Sequence, residues 1–429
     1  KELLKIGRPL EEAFKEGNKE SLSSILDSNI TTMIVAIILF ILGESSVKGF
    51  ATMLIISIVV TVLVMVVFVR IILKFFVETK FFDNKLNFFV GVKKKQIIPS
   101  EDVRIPFKNL EFVRNRKYFL SFTVIVIVFG TILSVVRGVN LGVDFTGGTT
   151  ITISKNEKVK LKTVEKELKN SKYTIKKTED SNDDITITID EVLDKNHIKK
   201  LSQRLEKEYD TDTDIYTVSK VVKQELTKNA IKSLIFASIG ILIYVALRFK
   251  FNYAISALVA LFHDVLMIIL FFCIFKLEIT SIFIAAILTI IGYSINDTIV
   301  TFDMIRENYK KKLQQKIGKR KKNIEDIHLN DEELIDLVND SVRTTFTRSV
   351  LTTLTTIFPV ICLLLFGAKE IFNFNIALLV GFIAGVYSSI YISNQLWLIL
   401  ETRRLKKPPK KDDSDKKEIS EIEIKGVNC

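Results

Sequence analysis

Cysteine, histidine and proline are scarce in this sequence of 429 residues, which contains three, three and six of them. The cysteines have neither the spacing of a disulfide framework nor that of a metal site, and the histidines lie too far apart for a local metal motif. The phosphate-binding pattern G-x-x-x-x-G-K-[ST] is also absent. We therefore predict no metal, no cofactor and no catalytic residue, so energy must come from an ion gradient or a partner.

Hydrophobic residues, by contrast, make up 48% of the chain, and the mean hydropathy is +0.29. Charged residues still account for 26%, which is high for a purely membrane-embedded protein. The mixture predicts a chain that crosses a membrane several times and carries one soluble insertion. The net charge of +12 does not indicate nucleic-acid binding, because the basic clusters lie between apolar segments and the aromatic residues are mostly Phe within those segments.

Eight apolar segments are candidates for transmembrane helices. They are 30–42, 50–73, 118–136, 230–247, 254–275, 281–302, 350–366 and 372–400. The first is short for a span, so its helix is predicted to begin near Ser23. Residues 1–73 thus hold two spans, residues 118–136 one, and residues 229–400 five.

Basic residues concentrate in a connector, 74–117, and in a loop, 303–347. The positive-inside rule therefore places both segments and both chain ends in the cytoplasm, and residues 137–228 outside the cell. Residues 401–429 are charged and lack apolar periodicity, which predicts a disordered cytoplasmic tail. The sequence begins with Lys1 rather than Met, and we expect it to be the C-terminal part of a longer product.

The soluble segment, 137–228, alternates strand-like and helix-like patterns. Strands are predicted at 149–154, 173–178, 184–190 and 213–222, and helices at 158–170 and 194–209. This βαββαβ order is that of the ferredoxin-like α+β fold. The predicted fold class is therefore a polytopic α-helical membrane protein of about eight transmembrane helices with one ferredoxin-like extracytoplasmic domain.

An internal repeat relates two predicted hairpins. Residues 25–50, ILDSNITTMIVAIILFILGESSVKGF, align without gaps to residues 349–374, SVLTTLTTIFPVICLLLFGAKEIFNF. Identical residues include Gly43 with Gly367 and Phe50 with Phe374. Two similar halves around a central path are a common plan of transporters.

Asp297 lies deep within the sixth apolar segment. A charge there costs at least ~2.5 kcal/mol on insertion scales, so it requires a partner or a function. Tyr293, Ser294 and Thr301 fall on the same helical face, which is predicted to face other helices or a water-filled path. Two interpretations remain open, a polar contact that holds two helices together and a proton or ion site.

Arg348 is the candidate partner of Asp297. It begins a predicted stripe with Thr352, Thr355 and Thr356 at the start of the seventh apolar segment. An arginine at a membrane boundary more often extends to the lipid headgroups, and this alternative stays open.

His263 and Asp264 are weaker candidates in the fifth apolar segment. Adjacent residues point about 100° apart on a helix, so we expect each to find a partner elsewhere rather than to pair with the other. A proton relay and a structural contact between helices are both consistent with the pair.

Two glycine-containing motifs are predicted to be structural. Asp144, Gly147 and Gly148 follow the third span, where the glycines suit a tight turn and the aspartate is expected to orient the strand at 149–154. Gly381 and Gly385 have the small-xxx-small spacing of close helix packing.

Several of these stretches resemble the SecD–SecF family of protein-export membrane proteins, which is related to the RND superfamily. GYSINDTIVTFDMIREN (292–308) resembles the fourth membrane helix of SecF. LGVDFTGGTTITI, ALVALFHDV, TFTRSVLTTLTT and GFIAGVYSSIYIS resemble other SecF segments. Residues 118–400 resemble SecF throughout, and residues 1–73 resemble the end of SecD.

The resemblance implies an accessory role in protein export. It assigns Asp297 and Arg348 to a proton path, with sodium as the alternative ion, that helps late translocation across the bacterial plasma membrane. The implied partners are the Sec translocation channel with its accessory membrane proteins, exported unfolded polypeptides and membrane lipids. A further SecD carboxylate of this path is expected before Lys1.

Three alternatives remain at this stage. An RND-like exporter of small molecules or lipids would need a larger extracytoplasmic domain than 137–228 offers. A membrane aspartyl protease would need Asp264 and Asp297 to share a proton. A passive assembly scaffold would tolerate Asp297→Asn.

Overall fold

The structure is a computed structural model that describes residues 2–43, 45–80, 86–92, 97, 110–155, 159–171, 173–180, 184–319 and 329–406. The principal elements before the fourth strand are α1 (Leu10–Leu42), α2 (Ser45–Leu63), α3 (Val69–Glu78), α4 (Arg116–Arg137), β1 (Gly148–Ser154), α5 (Leu161–Asn170), β2 (Ile175–Asp180), β3 (Asp184–Ile189) and α6 (Lys195–Tyr209). They are followed by β4 (Thr213–Val218), α7 (Lys220–Arg248), α8 (Phe251–Phe275), α9 (Ser281–Lys319), α10 (Asp331–Phe366), α11 (Phe372–Ser388) and α12 (Asn394–Lys406). A π-helical turn joins α2 to α3 at Val64–Phe68, and another joins α11 to α12 at Ser389–Ser393.

Eight helical segments of the described chain are long and apolar enough to cross a membrane. They are α1, α2 with α3, α4, α7, α8, α9, α10, and α11 with α12. Together with a small four-stranded sheet, they confirm the predicted fold class.

Four predicted boundaries were wrong, and the first of them is the start of α1, which lies at Leu10 rather than near Ser23. Most of the predicted loop 303–347 is helical, because α9 continues to Lys319 and α10 begins at Asp331. Asn330 and Glu333 form a reciprocal capping box that starts α10. Residues 401–406 belong to α12 rather than to a disordered tail, and α7 begins at Lys220, within the predicted strand 213–222.

Other predictions fall on residues that the structure does not describe. Much of the connector 74–117 and all of 407–429 lie outside the described residues. The described end of the connector is held against α10. Asn339 Oδ1 accepts a hydrogen bond of 2.9 Å from the backbone of Phe112, and Arg343 donates to Glu111 at 3.0 Å.

The small domain has the predicted order of elements. Its four strands are antiparallel in the spatial order β2-β3-β1-β4, which is the ferredoxin-like arrangement. Isoleucines that alternate along β1 and β3 are buried with leucines of α5 and α6, as Ile151, Ile187, Leu168 and Leu205 illustrate. The helices therefore cover one face of the sheet.

Helix α9 is the central element of the bundle. It packs against α1, α8, α10 and α11, and most of its apolar side chains are buried, including Ile287, Leu288 and Ile290. A polar side chain on such a helix faces neighbouring helices rather than lipid, which is why Asp297 must be understood from its surroundings.

The two hairpins of the sequence repeat have matching local structure. Gly43 and Gly367 both end a helix in extended conformation, and each donates its N–H to the carbonyl four residues earlier. Phe50 and Phe374 meet edge to face, with ring centroids 5.4 Å apart. The repeat therefore corresponds to two similar hairpins that contact each other.

Candidate functional site

Asp297 lies about midway along α9 and is partly buried. The hydroxyl of Ser349 on α10 and the guanidinium of Arg348 both lie close enough to its carboxylate to act on it electrostatically. Ser349 is 2% exposed, whereas Arg348 is exposed. The structure therefore brings the predicted pair Asp297 and Arg348 to the same interface, beside a buried serine that sequence analysis did not identify.

The polar face of α10 differs from the predicted stripe. Thr345, Ser349 and Thr353 are buried at four-residue spacing on this helix. The predicted stripe members Thr352 and Thr355 are not buried, whereas the third member, Thr356, contacts the hydroxyl of Tyr293 on α9. The buried face is therefore rotated by about one residue from most of the predicted stripe, because hydroxyls occupy both faces of α10 and spacing alone did not distinguish them.

Asp264 is fully enclosed between three helices and is 1% exposed. Its Oδ2 accepts hydrogen bonds from Ser294 Oγ on α9 at 2.6 Å and from Ser388 Oγ on α11 at 2.9 Å. His263 Nδ1 lies 3.0 Å from Asp264 Oδ1. The expectation that these adjacent residues do not pair was wrong, because the imidazole extends far enough around the helix to reach its neighbour's carboxylate.

A small cavity lies beside Asp297, between α9, α10 and α11. Asp297 and Ser294 both line it, together with Thr353 of α10 and Gly385 of α11. Since Ser294 also donates to Asp264, it lies between the two acids. The described hydrogen bonds include none between the two carboxylates, so the shared proton of an aspartyl protease has no counterpart here.

The polar contacts continue from His263 toward α4. The ring of His263 lies 5.8 Å from that of Tyr387, and the Tyr387 hydroxyl is 2.8 Å from Thr123 Oγ1. Another pair of hydroxyls, Thr298 of α9 and Ser389 of the π-helical turn after α11, lies 2.9 Å apart. Polar side chains thus extend across the bundle from α4 to α10.

We call this band of polar side chains, from Thr123 on α4 through Asp264 and Asp297 to Ser349 on α10, the seam. Close helix packing sets its width. A Cβ atom on Gly381 would lie 2.4 Å from Ile290 Cγ1, and one on Gly385 would lie 3.0 Å from Ser294 Oγ. A larger residue at 385 would therefore displace the serine that contacts Asp264. The structure places both glycines where α11 meets α9.

Asp144 connects the small domain to the bundle. Its Oδ2 accepts a hydrogen bond of 2.7 Å from the backbone N–H of Ser281, the first residue of α9, and its Oδ1 accepts one of 3.1 Å from Tyr216 on β4. Burial and the neighbouring carboxylate raise the pKa of Tyr216 to about 12. The carboxylate caps a membrane helix, and its contact within the sheet is with β4 rather than with the expected strand, β1.

The glycines beside Asp144 allow β1 to start close to β3. Gly148 has a φ of +114°, and a Cβ there would lie 2.3 Å from the carbonyl oxygen of Ile189. Gly147 has a φ of +73°. Both positions require glycine for backbone reasons.

Sequence analysis missed a second charged cluster, at the end of the bundle away from the small domain. Asp27 of α1 is 6% exposed and accepts hydrogen bonds from Tyr244 at 2.6 Å and Arg248 at 3.1 Å, both on α7. Asp303 of α9 lies 3.6 Å from Arg248 and 3.0 Å from Arg306. The sequence contained one indication of this cluster. Asp27 lies four residues before Thr31 in the first repeat, and the second repeat has no carboxylate at the corresponding position.

No group of three or more metal-ligating side chains occurs among the described residues. The chemistry that the seam offers is that of carboxylates, hydroxyls, one imidazole and one guanidinium. Such groups can hold and exchange protons or coordinate a small hard cation without any bound cofactor.

Comparison with known proteins identifies relatives over most of the chain. The family model described as protein export membrane protein SecD/SecF, C-terminal, matches residues 197–403, and the SecD/SecF GG motif matches residues 132–154. The protein translocase subunit SecDF of Bacillus subtilis is 43% identical over 417 residues, which are 95% of this chain and 54% of that protein. The protein translocase subunit SecF of Sebaldella termitidis is 38% identical over 73% of this chain and 98% of its own length.

A solved structure has the same fold. The crystal structure of SecDF, a translocon-associated membrane protein from Thermus thermophilus, matches with a TM-score of 0.76 and 28% identity, and the match covers 94% of this chain and 52% of that one. The chain thus spans about half the length of the SecDF relatives that it matches. These relatives are membrane translocase subunits rather than enzymes, so the protease alternative is not retained.

Proposed function

The chain belongs to the SecD/SecF family of protein export membrane proteins, and we propose that it forms part of an accessory subunit of the Sec export machinery. It is a multi-pass plasma membrane protein. In this proposal, flow of protons or sodium ions through the bundle drives movements that help late translocation of unfolded polypeptides. The partners are the Sec channel, its accessory membrane proteins and the exported chain.

One observation carries the mechanism: α9 bears Asp297 in its middle and is capped by the small domain at its start. The capping contact is the hydrogen bond from Ser281 to Asp144. From residue 281 to residue 297 the helix rises about 24 Å, at ~1.5 Å per residue. A shift of α9 caused by an ion at Asp297 would therefore reach the small domain through one rigid element.

The ion-binding step depends on α10. Burial and a nearby guanidinium have opposite effects on the proton affinity of a carboxylate. Moving α9 relative to α10 therefore changes the proton affinity of Asp297. Arg348 keeps its own charge throughout such a cycle. Ser349, which is buried close to Asp297, changes its distance from this carboxylate in the same movement.

The second carboxylate extends this path. Asp264 is separated from Asp297 by Ser294 and the small cavity that Ser294 shares with Asp297. A hydroxyl both donates and accepts, so Ser294 is suited to pass a proton between two carboxylates. His263 supplies two ring nitrogens that can donate or accept a further hydrogen bond.

The proposed orientation places the small domain outside the cell and both chain ends inside. Its support is the concentration of Lys and Arg in the segments 74–117 and 303–347. A gradient that is more acidic outside would then deliver protons from the small-domain side of the bundle.

The experiment is an export assay in cells depleted of their own SecDF, complemented with the full-length protein. Asp297→Asn keeps the shape of the side chain but removes its titration, so secretion of a reporter should fall to the depleted level while membrane abundance stays normal. Arg348→Lys keeps the charge but loses the planar fork and should be severely impaired. Wild-type secretion by Asp297→Asn would refute the proposal and favour a passive scaffold.

A further inference from the structure

A positively charged cavity of about 130 Å³ opens between α7, α8, α9 and α12, at the end of the bundle away from the small domain. Four cationic side chains, four aromatic side chains and one carboxylate line it. The charged residues are Arg248, Lys250, Arg306, Lys310 and Glu401. This cavity lies outside the seam that contains Asp264 and Asp297.

The single carboxylate of the cavity is already neutralised. Glu401 accepts hydrogen bonds of 2.8 Å from Arg404 and from Asn252 Nδ2. Arg248 is likewise engaged with Asp27. The remaining charges of the cavity wall are therefore in net positive excess.

Three side chains of the wall have hydrogen-bond donors to spare. Lys310 has no hydrogen-bond or ion-pair partner among the described residues. Within the same set of residues, Arg306 uses two of its five N–H donors, one to Asp303 and one to the backbone of Arg248. The indole N–H of Trp397 has no acceptor in the described chain, although the side chain is only 1% exposed.

This combination is selective for an anion. Lysine, arginine and the indole N–H all donate and cannot accept, so only an acceptor-rich ligand satisfies them together. A buried donor without a partner is unfavourable by about 1–3 kcal/mol, which an anionic oxygen in the cavity would remove at Trp397. Phosphate oxygens, with several acceptors and a full charge, match guanidinium and ammonium groups well.

The position of the cavity identifies the source of the phosphate. The loop Phe249–Lys250 separates α7 from α8, and Arg248 and Lys250 place two cationic residues between these two largely apolar helices. Next to this loop, Leu247 and Phe251 are 84% and 63% exposed, so apolar surface adjoins the cavity at the level of the lipid boundary. Acyl chains can lie against such a surface while the headgroup enters the cavity, as in basic pockets between membrane helices that bind anionic lipids.

We propose that this cavity binds the headgroup phosphate of an anionic phospholipid, with Lys310, Arg306 and Trp397 as its principal donors. The bound lipid would join α9 to α12 beside the charged cluster of Asp27 and Arg248. This inference does not depend on ion-driven export, because it concerns only the fold and the cavity.

The test is lipid binding to the purified full chain in a neutral detergent. Native mass spectrometry and thermal stability are measured with phosphatidylglycerol and, at equal concentration, with phosphatidylcholine. Glycerol 3-phosphate and inorganic phosphate are tested in the same way, to distinguish binding of a lipid from binding of a soluble phosphate. The variants are Lys310→Gln and Arg306→Gln, with Lys311→Gln as the control, since Lys311 pairs with Glu307 on the exposed surface.

The wild-type chain should bind phosphatidylglycerol in preference to phosphatidylcholine and to both soluble phosphates. Lys310→Gln should weaken that binding about tenfold, equivalent to roughly 1.4 kcal/mol, while Lys311→Gln leaves it unchanged. Equal binding of the two lipids, equal binding of a soluble phosphate, or no effect of Lys310→Gln would each overturn the proposal. Lys310 is half-exposed on a helix, so its variant remains informative even if Arg306→Gln fails to fold.

Discussion

Ser294 Oγ donates a hydrogen bond of 2.6 Å to Asp264 Oδ2, which joins the two central helices α8 and α9 through a buried carboxylate. The same serine lies one helical turn before Asp297 and lines the small cavity beside it. One hydroxyl therefore contacts one intramembrane acid and faces the surroundings of the other. Ser294 therefore lies on the direct route between the two acids.

Replacing this hydroxyl should affect both stability and export. Ser294→Ala leaves Asp264 with one donor fewer, and we expect the free energy of unfolding to fall by about 1–3 kcal/mol. Secretion by the full-length variant should fall below the wild-type rate at normal membrane abundance. Thermal unfolding of the purified protein and the reporter assay measure the two effects.

Ser238→Ala is the matched control for this substitution. The Ser238 hydroxyl donates only to the carbonyl of Leu234 in its own helix, so its loss should leave both quantities near wild type. If Ser294→Ala secretes as well as Ser238→Ala, Ser294 does not belong to the path.

Substitutions of Asp144 test whether movement of α9 is transmitted to the small domain through the hydrogen bond between Asp144 and Ser281. Asp144→Ala removes the acceptor that caps Ser281, whereas Asp144→Asn retains a side-chain oxygen suited to capping. We expect the alanine variant to secrete poorly and the asparagine variant to keep most of its activity. Equal secretion by both variants would show that this cap does not transmit the movement.

The sequence predicted which elements form more accurately than it predicted which face of a helix is buried, and α10 shows why. Long apolar segments predicted the eight spans. Alternation and helical periodicity predicted the βαββαβ domain, because burial repeats along each of its elements. The rotation of α10 was wrong by about one residue, since Thr345, Ser349 and Thr353 look no different in sequence from their exposed neighbours. Which face is buried depends on the helices that pack against it.

Contacts between distant segments were the other limit. Asp27 and Arg248 are 221 positions apart, and only the packing of α1 against α7 brings them together. The direct contact of His263 with Asp264 depends on a side-chain conformation that helical spacing does not determine. Sequence patterns therefore located candidate residues on their helices and predicted Arg348 as a partner of Asp297, but they did not identify the partners of Asp27 or Asp264.

A cleft lies between the small domain and the bundle, and Glu278 and Glu370 both line it. We expect the stability of the protein to depend on pH through Glu278. Burial raises the pKa of this carboxyl above its ordinary value of 4.5; Lys177 opposes the rise, and Glu179 and Asp144 add to it. The folded protein therefore holds this proton more tightly than the unfolded chain. Its contribution to stability is fully present below pH 4.5 and is lost as the pH rises through the folded pKa.

Thermal stability measured in small steps from pH 8 to pH 4.5 should show this gain on acidification. Glu278→Gln should lose it, whereas Glu370→Gln, which replaces an exposed carboxylate of the same cleft, should retain the wild-type profile. A Glu278→Gln profile that is identical to wild type would exclude Glu278 as the titrating group.

The central claim is that Asp297 is the group at which an ion is bound and released. The most direct measurement is ion movement through the full-length protein reconstituted in liposomes, with a pH-sensitive dye inside and an imposed pH gradient, repeated with a sodium gradient and a sodium dye. Wild-type protein should dissipate one of the two gradients faster than empty liposomes, and Asp297→Asn, incorporated to the same level, should not. Dissipation by Asp297→Asn at the wild-type rate would contradict the account.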